Sequence, residues 1–136
     1  MLYQTSHSVG NQSVNSLYLS YSLWISELNA GIDTLSVFEE YMRDHNGDDN
    51  HILKTAFLHF RRQFATLRKY IDDIKHEMHL VKMELAAYTR DGKMFVERKD
   101  FNDAHRDIRN RYNVFNAQFE QAKLSFVDFE NSWLLP

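Results

Sequence analysis

Apolar residues recur at alternating spacings of three and four along three long stretches of the chain. The stretches cover residues 17–42, 53–88 and 101–133. An average spacing of about 3.5 residues keeps one stripe of a helix turned toward its neighbours, as in a coiled coil. The pattern therefore predicts three long amphipathic helices, over about 13–44, 51–89 and 100–133.

Short polar segments separate the predicted helices. Residues 45–50 combine one Gly with several Asp and Asn residues, and an Asp-Gly pair follows the second helix. Because Asp and Asn are good N-cap residues, we expect this turn to cap the second helix and Asp100 to cap the third. Residues 1–12 are polar and without periodicity, which predicts a flexible arm before a single helical-bundle domain over 13–136.

The three helices are predicted to pack as an all-α bundle. Their similar lengths and short connections favour an antiparallel up-down-up three-helix bundle, which dimerisation would enlarge. The first helix region, 13–45, holds five acids against one base, whereas 51–90 holds eight bases against four acids. Opposite charges help to select these two helices as neighbours, although exposed pairs add little stability.

Composition narrows the function classes. The net charge of −3 and the pI of about 6.1 argue against a nucleic-acid partner. The sequence has no cysteine, which fits a reducing compartment. It also has no signal-peptide pattern and no apolar run long enough for a membrane span. We therefore expect a cytoplasmic protein.

Histidine is the first residue type to consider for chemistry. His76 and His79 share the outward face of the second helix with Asp72, one turn earlier, and are weak candidates for metal ligands. Metal sites normally take ligands from several elements, so we predict no metal site and no cofactor. His105 is the one titratable residue in an apolar stripe, and we expect it to be partly buried with its polar tip toward water or a carbonyl.

One short segment resembles a known phosphoryl-transfer motif. His51-Ile52-Leu53-Lys54 resembles the start of the His-x-Leu-Lys-Gly-Ser motif of histidine phosphotransfer domains, which are also helical bundles. The resemblance implies phosphoryl transfer through His51. Thr55 replaces the motif's glycine, however, and His51 begins a helix, so the chain is not identified as a member of that family.

No catalytic constellation is visible in the sequence, and we predict that the chain is not an enzyme. It contains no Gly-rich phosphate loop, no paired carboxylates in the stripes and no supported Ser/His/Asp set. The alternative to a non-enzymatic role is a small helical bundle that binds a metal ion or accepts a phosphoryl group through histidine.

Apolar residues also occupy positions that face away from the predicted core. Residues 1–26 contain no Asp, Glu, Lys or Arg. Five outward apolar residues, two on the first helix and three on the second, fall at one end of an up-down-up bundle. The loop after the second helix adds a sixth residue at this end. The predicted surface comprises Leu19, Leu23, Leu80, Met83, Ala87 and Phe95.

This surface predicts a protein–protein interaction module. Interfaces have few charges at their centres and are enriched in Met and aromatic residues. We expect an adaptor, scaffold or chaperone-like bundle that self-associates, because two-fold homodimers are the commonest oligomers. Alternatively, residues 1–12 or 91–99 cover the apolar end. The third helix carries a second outward row that could receive a partner helix, formed by Val114, Ala117, Leu124 and Val127.

Overall fold

Three α-helices form the described part of the chain in the computed structural model, which describes residues 14–45, 50–90 and 99–134. Helix α1 spans Val14–Asp44, α2 spans His51–Arg90 and α3 spans Lys99–Leu134. These bounds lie within one residue of the predicted ones, and no strand occurs in the described ranges. The predicted arm over 1–12 lies outside them.

The helices are long. They contain 31, 40 and 36 residues, so at a rise of 1.5 Å per residue each extends over roughly 45–60 Å. Over the residues that the structure describes, none of them combines the length and the apolar character needed to cross a membrane.

The start of α2 is capped as the sequence predicts. The backbone N–H of Leu53 donates a hydrogen bond of 2.9 Å to Oδ1 of Asn50. This bond satisfies one of the amide donors that the first turn of a helix leaves without a partner. At the third helix the prediction is shifted, because α3 begins at Lys99 and Asp100 is already part of its first turn.

A single hydrophobic core joins the three helices. On α2, every predicted stripe position from Leu53 to Leu85 is buried. On α1, six of the eight stripe positions are buried, namely Leu17, Tyr21, Leu28, Gly31, Leu35 and Met42. Trp24 and Phe38 in the stripe are partly buried, and Ile25, which widens the stripe, is buried as well. A helix that packs against two neighbours buries a face centred between them, which is wider than one stripe.

Six polar contacts identify which parts of the helices are neighbours. Between α1 and α2 they join Glu39 to Arg68, Asn29 to Lys75 and Tyr18 to Lys82. Between α1 and α3 they join Tyr21 to His105, Glu27 to Tyr112 and Tyr41 to Glu130. Later residues of α1 therefore contact earlier residues of α2. Later residues of α1 also contact later residues of α3.

Candidate interaction surface

Four of the apolar residues in the predicted surface are exposed. Leu19 and Leu23 on α1 are 59% and 56% exposed, and Leu80 and Met83 on α2 are 51% and 67% exposed. Ala87 is half-buried, and Phe95 lies outside the described residues. Each exposed leucine or methionine leaves apolar area in water, and covering that area is favourable by about 25 cal/mol per Å².

These four residues lie at the same end of the α1–α2 pair. The Nζ of Lys82 lies 4.8 Å from the ring centroid of Tyr18, which places the start of α1 beside the late part of α2. Leu19 follows Tyr18 directly, and Leu80 and Met83 are neighbours of Lys82 in the sequence. Residues that are distant in the chain thus lie at the same end of this helix pair.

A longer row of exposed residues runs along the outer face of α1. We call it the α1 outer row, and it consists of Leu19, Leu23, Ser26, Ala30 and Val37. The row follows the spacing of the core stripe with an offset of two residues, and Val37 at its far end is 62% exposed. Between Leu19 and Val37, this spacing has one further position. It is occupied by Asp33, which is the only charged residue at these positions. The sequence predicts only Leu19 and Leu23 as part of a surface.

Two hydroxyl residues beside the α1 outer row have their hydroxyls satisfied within the helix. Ser22 Oγ donates to the Tyr18 carbonyl at 2.9 Å, and Thr34 Oγ1 donates to the Ala30 carbonyl at 3.1 Å. Such bonds to the preceding turn remove the need for a partner outside the helix. Ser22 and Thr34 therefore present mainly their apolar atoms to the surroundings.

A buried polar pair joins α1 to α3 near this end. Tyr21 Oη and His105 Nδ1 form a hydrogen bond of 2.6 Å, and the Trp24 ring stacks on the His105 ring. His105 is only 5% exposed. Burial lowers the pKa of His105 and the positive charge of Arg109 lowers it further, whereas burial raises the pKa of Tyr21. The hydroxyl of Tyr21 is thus one hydrogen-bond partner of His105.

Two further tyrosines of the same interface donate hydrogen bonds to carboxylates. Tyr112 donates to Glu27, and burial together with this contact raises the pKa of Tyr112 to about 12. Tyr41 donates to Glu130, whose pKa burial raises above its ordinary value. The second carboxylate oxygen of Glu130 is buried and has no hydrogen-bond partner in the described part of the chain.

An open groove of about 290 Å³ lies between α2 and α3. Tyr70, Ile74, Val114 and Phe115 supply much of its apolar lining. Of the predicted second row, Val114 lines this groove and Ala117 lines a neighbouring one, while Leu124 and Val127 are exposed on α3.

The charged residue at one end of this groove is held by neighbouring carboxylates. Arg111 donates to both oxygens of Glu77 at 2.8 and 2.5 Å, and to Asp107 at 3.0 Å. The hydrogen bonds to Glu77 raise the pKa of Arg111. Its guanidinium therefore links α3 to α2 and does not offer a free cation to a ligand.

The histidine candidates lie apart from these features. His76, His79 and Asp72 are all exposed on α2, and His51 is exposed at its first residue. Among the described residues, no group of three or more His, Cys, Asp or Glu side chains is placed so that it could hold a metal ion.

No protein-family model, curated protein or solved structure matches this chain.

Proposed function

We propose that the chain is a non-enzymatic protein–protein interaction module, an adaptor, scaffold or chaperone-like bundle, which associates through the apolar residues at one end. One observation carries this proposal. Leu19 and Leu23 on α1 and Leu80 and Met83 on α2 are exposed, and they lie at the same end of this helix pair. Monomers rarely leave several large apolar side chains together in water unless the patch has a binding role.

The architecture proposed for this module is an antiparallel, up-down-up bundle of heptad-patterned helices. The order of the contacts supports it, because Glu39 meets Arg68 whereas Tyr18 meets Lys82. The contacts of α1 with α3 run in the opposite sense, from Tyr21 with His105 to Tyr41 with Glu130. In this arrangement the start of α1 and the end of α2 jointly present the apolar end.

The polar groups with shifted pKa values support a structural rather than a catalytic use of the interior. Tyr21 with His105 and Tyr112 with Glu27 are pairs between α1 and α3. In each pair a tyrosine of one helix is hydrogen-bonded to a side chain of the other, and most side-chain polar groups inside proteins are paired in this way. These pairs help to hold α3 against α1. A partner would bind to the exposed apolar residues instead of to these polar groups.

The proposal is tested by placing charge on the apolar end. The double variant Leu19→Glu with Met83→Glu should remove self-association in sedimentation and light scattering, and it should also remove protein retention from a native lysate. Both side chains are exposed, so we expect an unchanged far-UV circular dichroism spectrum.

Ile52→Glu is the matched control, because Ile52 is equally exposed but lies at the opposite end of α2 from Met83. It should behave as the wild-type chain does. If the double variant associates and retains protein as strongly as Ile52→Glu, the apolar end is not a binding surface and the proposal fails.

A further inference from the structure

We propose that the partner is a second copy of this chain, and that the α1 outer row pairs with itself in the antiparallel direction about a two-fold axis. This inference rests on the proposed function. It adds the identity of the partner, the helix at the centre of the interface and the register of the contact.

The α1 outer row is complementary to itself. Its large residues are Leu19 and Leu23 toward one end and Val37 at the other, and the small residues Ser26 and Ala30 lie in the middle. In an antiparallel pair centred midway along the row, Ser26 of one copy faces Ala30 of the other, and Leu19 faces Val37. Small residues at the crossing let the helix axes approach closely, and each contact occurs twice.

On one side of the row, Leu23 has a neighbour in the other copy that is close to the same register. Leu23 and Thr34 are eleven residues apart, about three helical turns, so they share one flank. In the antiparallel pair Leu23 faces the Thr34 of the other copy, whose hydroxyl is already bonded to the Ala30 carbonyl at 3.1 Å. The methyl group of Thr34 is then available for the leucine.

Charge selects the antiparallel direction. A parallel pair would place Asp33 of one copy against Asp33 of the other, and like charges that face each other across an interface are strongly disfavoured. In the antiparallel pair, Asp33 lies level with Leu23 of the other copy and also faces the small residue Ser22 beside it. The two copies of Asp33 are then about 15 Å apart along the axis, beyond the distance of about 8 Å over which exposed charges interact at physiological salt.

The size of the interface sets the expected strength. The row from Leu19 to Val37 extends over about 27 Å. One helix pair of this length covers less than the roughly 800 Å² per partner of a standard stable interface. We therefore expect a dimer that forms and dissociates with protein concentration.

A charge exchange tests both the partner and the register. Leu19→Glu and Val37→Lys, made singly, should each weaken dimerisation about a hundredfold, because each change occurs twice and each occurrence costs on the order of tenfold. The double variant Leu19→Glu with Val37→Lys should recover dimerisation, since every Glu then faces a Lys of the other copy. In a parallel pair Glu would face Glu, and there would be no recovery.

Disulfide formation gives a second measurement that does not depend on charge. The natural sequence has no cysteine, so introduced cysteines are the only thiols. A mixture of the Leu19→Cys and Val37→Cys chains should form a disulfide between copies under mild oxidation, whereas either chain alone should not. Rapid disulfide formation by Leu19→Cys alone would overturn the antiparallel register.

The outcomes separate this inference from the proposed function. A wild-type chain that sediments as a monomer at every concentration overturns the inference. So does a Val37→Lys variant that associates normally. In either case the proposed function still stands if Leu19→Glu with Met83→Glu loses a protein partner that Ile52→Glu retains.

Discussion

Gly31 occupies a buried position in the middle of α1 where a methyl group fits. A Cβ atom there would lie 3.5 Å from Ile71 Cδ1 and 3.5 Å from Phe119 Cζ, which is ordinary van der Waals contact. Glycine in a helix interior is less favourable than alanine by about 1 kcal/mol. We therefore expect Gly31→Ala to raise the free energy of unfolding by about 1 kcal/mol, measured by urea denaturation.

Ala30→Gly is the control for this prediction, because Ala30 directly precedes Gly31 in the same helix and is exposed. It should lower the free energy of unfolding by a similar amount. If Gly31→Ala lowers the urea midpoint instead, the side chains of Ile71 and Phe119 cannot yield to the added methyl.

His105 is the residue through which stability should depend on pH. Burial, and then Arg109, lower its pKa from the ordinary value of 6.5. The unfolded chain therefore binds a proton more readily than the folded chain does. The stability that neutral His105 confers is complete above about pH 6.5 and is lost as the pH falls below it. We expect the urea midpoint to decrease between about pH 7.5 and 5.5, and to decrease less in His105→Gln.

Comparison of variants isolates this effect from the other titrating groups. His79→Gln, which removes an exposed histidine of α2, is the control variant. Tyr21, the hydrogen-bonded neighbour of His105, has its pKa raised and stays neutral throughout this range. Parallel pH profiles for the wild-type chain and His105→Gln would contradict the prediction.

At the scale of the helices, the spacing of apolar residues was enough to predict three helices with their ends correct to one residue. Periodicity reveals these elements because burial of one face recurs with each turn. The same spacing could not show that Ile25, beside the stripe of α1, is buried more deeply than Trp24 within it. That difference depends on the directions of α2 and α3, which the pattern of a single helix does not contain.

The candidate surface could be predicted only in part for the same reason. Leu19 and Met83 face outward by their helical positions alone, and they are exposed in the structure; that they bind a partner stays a prediction. The Tyr21–His105 hydrogen bond joins residues 84 positions apart. Without knowledge that α1 and α3 are neighbours, nothing in either segment indicates the other as a partner.

In the molecule as a whole, a cluster of aromatic rings and Trp24 mark opposite ends of one core. The Phe126 ring centroid lies 4.8 Å from that of Phe38 on α1 and 5.0 Å from that of Phe60 on α2. Trp24 lies about 21 Å from Phe38 along α1. Because a single core continues between the two ends, we expect them to unfold in one cooperative transition.

Phe126→Leu tests this coupling, and it should lower the free energy of unfolding by about 1–2 kcal/mol through lost ring contacts and a small cavity. The chain has two tryptophans, so the change is made with Trp133→Phe in both proteins, which leaves Trp24 as the fluorescent reporter. The urea midpoints of Trp24 fluorescence and of helical ellipticity should then shift equally. If ellipticity shifts and Trp24 fluorescence does not, the two ends unfold separately. An equal shift would mean that the helices presenting Leu19 and Leu80 are held in place by packing at the far end of the bundle, because the stability of the apolar end would then be set by the whole core.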